Sequence, residues 1–232
     1  MSEFLRLEKA DGIGVLTIDR PQKKNAMTYA MLGDFIECVG AAGRDPAIRV
    51  LILTGVPGAF CAGTDLSDLA TVPGEDRGLR GTAKEKHRWW PIVGCEKPVI
   101  AAVDGPAVGM GAEFATQCDL RIATPNARFA WNFAHRGLVP DTGAGSWILP
   151  RLLGPARALK LLYTGDFLSA GEAHALGFVD ELVEPEGLLD AARSLATRIA
   201  AVSPFSTTRI KRLVYEGLAG DFDAHMERHT AA

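Results

Sequence analysis

Two glycine-rich stretches decide how this chain reads: Phe60-Cys61-Ala62-Gly63-Thr64-Asp65-Leu66 and Asp104-Gly105-Pro106-Ala107-Val108-Gly109-Met110-Gly111-Ala112-Glu113. Each follows a short apolar run, Val50-Leu51-Ile52-Leu53 before the first and Val99-Ile100-Ala101-Ala102-Val103 before the second. Runs of that length, unbroken by charge, predict strands buried on both faces. Each glycine stretch then predicts the opening of a helix. The first N–H groups of a helix lack intrahelical acceptors and stand at the positive end of its dipole. Glycine removes side-chain bulk there, so a ligand oxygen can come close to the main chain. Two backbone donor sites aimed at one anion, the hardware of an oxyanion hole, are the expectation.

On the N-terminal side, residues near 3 to 8 and 13 to 19, separated by Asp11-Gly12, predict a hairpin, and a helix after Asn25 leads to the strand near 49 to 54. Strand and helix signals alternate through residue 123, which is an α/β pattern. From about Thr142 onward the pattern turns helical, with Ser169-Ala170-Gly171-Glu172 as a capping box and Ser203-Pro204 as an N-cap before a first-turn proline. Between the two glycine stretches, Pro73, Gly74, Gly78 and Gly81 among many charges predict a surface loop from Ala70 to Arg88, a place for specificity to reside. Trp89 and Trp90 follow it, and core packing is expected of them rather than ligand stacking.

Composition narrows the function classes. The 232 residues, 47% hydrophobic and 23% charged, fit one large soluble domain or a domain with a small appendage. A net charge of −3, with no basic face beyond Lys23-Lys24 and the cluster from Lys84 to Arg88, argues against a nucleic-acid partner. Cys38, Cys61, Cys95 and Cys118 lie in apolar surroundings without C-x-x-C spacing, which predicts reduced core thiols. No run approaches the roughly 18 apolar residues of a membrane span, so the expectation is a cytoplasmic protein with no membrane partner. The five histidines show no metal-binding spacing and no metal is expected. The stretch from Gly109 lacks the third glycine of a dinucleotide fingerprint, and Ser146 is followed by Trp147 rather than completing a G-x-S-x-G elbow. Nicotinamide and serine-hydrolase chemistries both weaken.

Glu113 lies three residues beyond Met110, about one helical turn, so its carboxylate can reach toward a ligand held at that helix end. A glutamate in a first turn is also favoured by the dipole alone.

The two glycine stretches resemble the signatures of the crotonase superfamily, the enoyl-CoA hydratase/isomerase family. The resemblance begins at Asp19-Arg20-Pro21 and Asn25-Ala26-Met27 and continues through Cys118-Asp119-Leu120-Arg121-Ile122-Ala123 and Gly137-Leu138-Val139-Pro140-Asp141. It ends with Leu168-Ser169-Ala170-Gly171-Glu172-Ala173 and Gly177-Phe178-Val179-Asp180. It implies a crotonase-like spiral of ββα units over residues 1–195 and a C-terminal helical region, 196–232, shortened relative to the family. It also implies an acyl-CoA thioester as substrate, with no separate cofactor because coenzyme A is part of that substrate, and a homotrimer or hexamer.

By the same resemblance the backbone N–H groups of Thr64 and Met110 form the oxyanion hole and Glu113 is a catalytic carboxylate. The position of a second hydratase glutamate is occupied by Phe133, which transfers no protons. Asp141 stands where hydratases commonly have glycine, and some isomerases and a dehalogenase of the superfamily place a working aspartate there. An N-cap for a helix starting at Thr142 is the alternative reading of Asp141. Lys24 and Ala26 are implied for the coenzyme, Ala62, Asp65 and Leu66 for its path, and Gly109, Phe133 and Pro140 as further substrate-binding residues. Isomerisation of a double bond needs as few as one acid/base group, whereas hydration must also activate water. The expectation is therefore an enoyl-CoA isomerase, with enoyl-CoA hydratase as the alternative and a non-catalytic acyl-CoA-binding protein behind both.

Overall fold

The computed structural model describes residues 2–69, 90–140 and 142–230; the loop expected over residues 70–88, Trp89 and Asp141 lie outside the described residues. The expected hairpin is β1 (Leu5–Ala10) against β2 (Ile13–Ile18), antiparallel. Its two turn residues, Asp11 and Gly12, take φ of 52° and 79°, the left-handed geometry that an Asp-Gly pair accommodates. Helix α1 (Tyr29–Arg44) starts at Thr28, whose hydroxyl accepts from the Met31 amide, and returns the chain to β3 (Val50–Gly55).

The remaining strands fall into two sheets. In the larger, β3 is followed by β4 (Val99–Val103), β6 (Leu120–Ala123) and β9 (Glu181–Leu182), all parallel, in the order β1-β2-β3-β4-β6-β9. In the smaller, β5 (Pro106–Val108) runs parallel to β7 (Arg128–Ala130), and β8 (Leu168–Ser169) closes it antiparallel. The chain alternates between the sheets. Strand β4 passes at Asp104-Gly105 into β5 and then into helix α3 (Met110–Gln117). After β3 the same course is followed more sparsely, with Cys61 bridging Ala107 in parallel before the short helix α2 (Leu66–Leu69). These successive passes are the turns of a spiral of ββα units.

Period-two alternation divides the apolar side chains between two cores. Leu16, Ile18, Leu51, Leu53, Val99 and Ala101 face the interior shared with α1 and α3, while Val15, Val50, Ile52, Ile100 and Ala102 face the other way. Against that second face lies the later helix Leu188–Ala200, presenting Leu188, Ala192, Ala196 and Ala200 at a spacing of four. Small side chains on that stripe let the helix approach the sheet closely. Position 195/196, expected as the border of the core region, falls inside this sheet-packed helix.

The helical part comprises α4 (Ala144–Trp147), α5 (Leu149–Leu153), α6 (Pro155–Thr164), α7 (Ala170–Ala175), α8 (Leu188–Ala200), α9 (Pro204–Gly217) and α10 (Phe222–Thr230). Ser169 and Glu172 form the expected capping box of α7. Pro204 opens α9 as expected, but the Ser203 side chain makes no capping bond. Helix α4 begins after Gly143, which caps it in a left-handed conformation, rather than at Thr142. The Thr142 hydroxyl is drawn instead into a bond with Glu113. No helix among the described residues is long and apolar enough to cross a membrane.

Helix α9 is pinned by a cation. Lys211, 9% exposed, donates from Nζ to the carbonyls of Ile92 (3.1 Å) and Lys97 (3.0 Å) and pairs with Asp119 Oδ2 at 2.9 Å. The Tyr215 hydroxyl donates to Asp119 Oδ1, and burial together with that carboxylate pushes the phenol's pKa up. Lys211→Met keeps the stem but removes all three bonds and leaves Asp119 short of its cation. It should lower the unfolding free energy by about 2–3 kcal/mol, measured by urea denaturation.

Candidate active site

The first glycine stretch is held in shape by Asn25. This buried residue takes a left-handed φ of 59°, and its side-chain amide donates to the Ala59 carbonyl at 2.7 Å while its oxygen accepts from the Arg20 amide at 2.8 Å. The segment from Lys24 then runs beside the stretch. The Ala62 amide donates to the Lys24 carbonyl (3.0 Å), Met27 to Gly63 (2.8 Å) and Asp65 to Met27 (2.7 Å). Lys24, Ala26, Ala62 and Thr64 are thereby set side by side, with Lys24 and Leu66 exposed and Ala26, Ala62 and Thr64 half-buried.

Close backbone approach then joins the two stretches. The Val108 amide donates to the Cys61 carbonyl at 2.9 Å, and the Gly109 amide to Ala130 at 2.8 Å. Gly63, at φ +96°, lies so near the second stretch that a Cβ there would stand 2.8 Å from the Val108 carbonyl oxygen and 3.7 Å from the Met110 nitrogen. Among the described residues, neither the Thr64 amide nor the Met110 amide has a hydrogen-bond acceptor. Two open main-chain donors on adjoining loops are an arrangement able to bind developing negative charge on one oxygen.

Glu113, fully buried on α3, lies one turn beyond Met110. Its carboxylate accepts from the Thr142 hydroxyl at Oε2 (2.6 Å) and from the Gly145 amide at Oε1 (2.7 Å). A buried carboxylate requires such bonds, and charge-assisted ones are the strong kind. Gly145 is obligatory for this contact, because a Cβ there would come within 2.5 Å of Oε1 and 3.1 Å of Trp131 Cδ1. Aromatic rings stand near the segments that carry these residues. Phe133, 7% exposed on the 3₁₀ turn Asn132–Arg136, brings its ring tip to 4.0 Å from the space a side chain at Gly109 would fill. Trp90 is half-buried rather than locked in the core, and its Cζ2 lies 3.8 Å from the corresponding space at Gly143. Pro140, whose carbonyl accepts from the Gly143 amide, begins the loop that carries Thr142.

Asp65 is buried and fully occupied. Its carboxylate accepts from the Ser67 hydroxyl and amide and pairs with Arg20 at 2.8 Å. The Ser67 hydroxyl first, then Arg20, hold its pKa down at about 2. Arg20, Asn25, Thr142 and Gly145 were not singled out by sequence as site residues. The described cavities of about 430 Å³ beside α1 and about 710 Å³ between α6 and α7 lie elsewhere and are lined by none of these residues.

A spiral of ββα units with a buried carboxylate one turn along the helix that opens at Met110 matches the crotonase class. The family model for enoyl-CoA hydratase/isomerase matches residues 8–227, and the chain belongs to that family. The 1,2-epoxyphenylacetyl-CoA isomerase of Escherichia coli is 36% identical over 230 residues, 98% of this chain and 87% of that protein. The crotonyl-CoA hydratase of Syntrophomonas wolfei is 38% identical over 225 residues, 97% of this chain and 86% of that one. The crystal structure of enoyl-CoA hydratase subunit I from Geobacillus kaustophilus superposes with a TM-score of 0.90 at 32% identity, covering 98% of this chain and 87% of that one. The protein is an acyl-CoA enzyme of the hydratase/isomerase type.

Two outcomes follow from the geometry. Gly145→Ala must displace the Glu113 carboxylate; in an assay with an enoyl-CoA ester, turnover should fall by about 100-fold, the scale of a misplacement near 1 Å. Asp65 has a folded pKa below its unfolded one, so its contribution to stability is complete above the ordinary carboxylate value and is lost as pH falls through about 2. The stability gap between wild type and Asp65→Asn should therefore hold steady from pH 7 to 5 and shrink between about pH 4 and 2.

Proposed function

We propose that this enzyme shifts a carbon–carbon double bond within an acyl-CoA thioester by way of its enolate. Glu113 takes a proton from the carbon next to the thioester or in conjugation with it. The electron pair of the broken C–H bond moves onto the thioester oxygen, which the Thr64 and Met110 amides hold. The same carboxyl group returns the proton at the other end of the conjugated system, re-forming the carbonyl and leaving the double bond displaced. Lys24 and Ala26 lie along the path assigned to coenzyme A, with Ala62, Asp65 and Leu66 beside it. Asp65 contributes through its backbone, since its carboxylate is committed to Arg20 and Ser67.

The observation that carries this reading is Phe133. An apolar ring stands where a hydratase of this family has its second glutamate, and it offers no group to activate water. Asp141 is the rival or the helper for the proton. Hydration is the second reading, favoured by the similarity to a crotonyl-CoA hydratase.

Incubation with a panel of enoyl-CoA esters in deuterated water, followed by mass spectrometry, separates the readings. The wild type should isomerise faster than it hydrates, and Phe133→Glu should move the ratio toward hydration. Glu113→Gln should lower isomerisation by roughly 10²- to 10⁴-fold with little change in coenzyme A affinity. A larger loss in Asp141→Asn would give the proton to Asp141. Efficient hydration by the wild type, abolished by either amide variant, would establish the hydratase reading.

Assembly as a homotrimer or hexamer in a cytoplasmic setting belongs to the same reading. The exposed apolar side chains of Phe205, Ile210 and Val214 on α9 support it. Light scattering should give three or six copies; a stable, active monomer refutes this part.

A further inference from the structure

We propose that Phe133 and Trp90 select acyl groups that carry a planar ring, aryl or cyclic enoyl, over straight chains of equal carbon count. The inference rests on the placement of the reacting carbons between Glu113 and the Thr64 and Met110 amides, and it goes beyond that placement by naming what lies next to those carbons.

The two rings border the two segments that hold this carboxylate, the start of α3 and the loop of its Thr142 donor. Phe133 reaches Gly109, the residue that precedes the Met110 donor, and Trp90 reaches Gly143, the residue that follows the Thr142 donor to Glu113. Both glycines take positive φ, +54° and +77°, a conformation that larger residues rarely adopt, so the space beside each ring stays free of a competing side chain. The chain is firmly packed two residues before Phe133. Trp131, fully buried, sits edge-on to Phe178 at 5.4 Å, and Phe178 sits edge-on to Phe129 at 5.0 Å. A segment anchored in this way resists collapse onto a thin chain, whereas a flat substrate ring fits beside it. Each well-stacked aromatic pair is worth roughly a 2- to 12-fold gain in affinity beyond the area it buries. A ring also has fewer rotors to immobilise than a chain.

Apolar area alone predicts the opposite order, because an octanoyl chain has more aliphatic surface to bury than a phenylacetyl group of the same eight carbons. The comparison therefore isolates stacking. Isothermal titration of the intact enzyme with phenylacetyl-CoA and octanoyl-CoA should show phenylacetyl-CoA binding about 10-fold tighter. Phe133→Leu and Trp90→Leu should each reduce that ratio by about 3- to 10-fold, with the loss on the phenylacetyl side. Because Phe133 is buried and Trp90 is not, the second variant decides the matter should the first fail to fold. Equal affinities in the wild type, or a ratio unmoved in the folded variants, overturns ring selection and leaves the acyl-CoA site standing. Failure of both esters to bind overturns the site and the inference together.

Discussion

The burial of one carboxylate is the constraint on which the rest depends. Glu113 sits at zero exposure inside α3, and an ionisable group in that position is tolerated only where donors meet it. Its donors come from a loop some thirty residues further on, the Thr142 hydroxyl and the Gly145 amide. The Thr142 hydroxyl in turn accepts from the Ala144 amide at 3.3 Å, so the start of α4 is organised around the glutamate. This explains why the helix opens after Gly143 and not at Thr142. The local capping preference yields to the need to satisfy a buried carboxyl group.

A second constraint is the spacing of backbones. The donors of Thr64 and Met110 adjoin because the first glycine stretch packs main chain to main chain against the second. The parallel bridge from Cys61 to Ala107 and the bond from Val108 to Cys61 leave no room for side chains between them. At Gly111 a Cβ would stand 2.0 Å from the Cys61 carbonyl oxygen, so the residue is glycine for lack of space. Asn25 and the Arg20–Asp65 pair hold the far side of the first stretch in the same way. The thermodynamic cost of such crowding is met by the two apolar cores on either face of the large sheet, which fix the strands from which both stretches emerge.

Those strands were legible in the sequence because their signals are local. Val50 to Leu53 and Val99 to Val103 are unbroken apolar runs, Asp11-Gly12 is a turn in its own right, and Ser169 with Glu172 forms its cap within four residues. The candidate site was legible where a motif places a donor or an acid one turn from a helix start, as with Met110 and Glu113. What was not legible lies across the spiral. Nothing near Thr142 or Gly145 announces that a glutamate thirty residues earlier will need them, since the contact exists only after two turns of the spiral have stacked. Trp90 was assigned to core packing by the same limitation. Its aromatic character argues for burial, and only the fold shows that its ring edge reaches Gly143 while it remains half-exposed.

The separation between main-chain and side-chain contributions also bears on how one fold serves several reactions. Thr64 and Met110 present amides, which any non-proline residue supplies, so a pair of open donors is built into the path of the backbone. In the proposed reaction the fate of the enolate depends on the side chains of Glu113 and Phe133, which lie on α3 and on a 3₁₀ turn. None of the strands of the large sheet passes through these positions. On the proposed reading, a phenylalanine at 133 leaves the donors and the spiral intact while placing no polar group beside the reacting carbons. On that reading the chemistry is redirected by a single side chain without loss of the proposed anion site, provided that Glu113 keeps the two donors that make its burial tolerable.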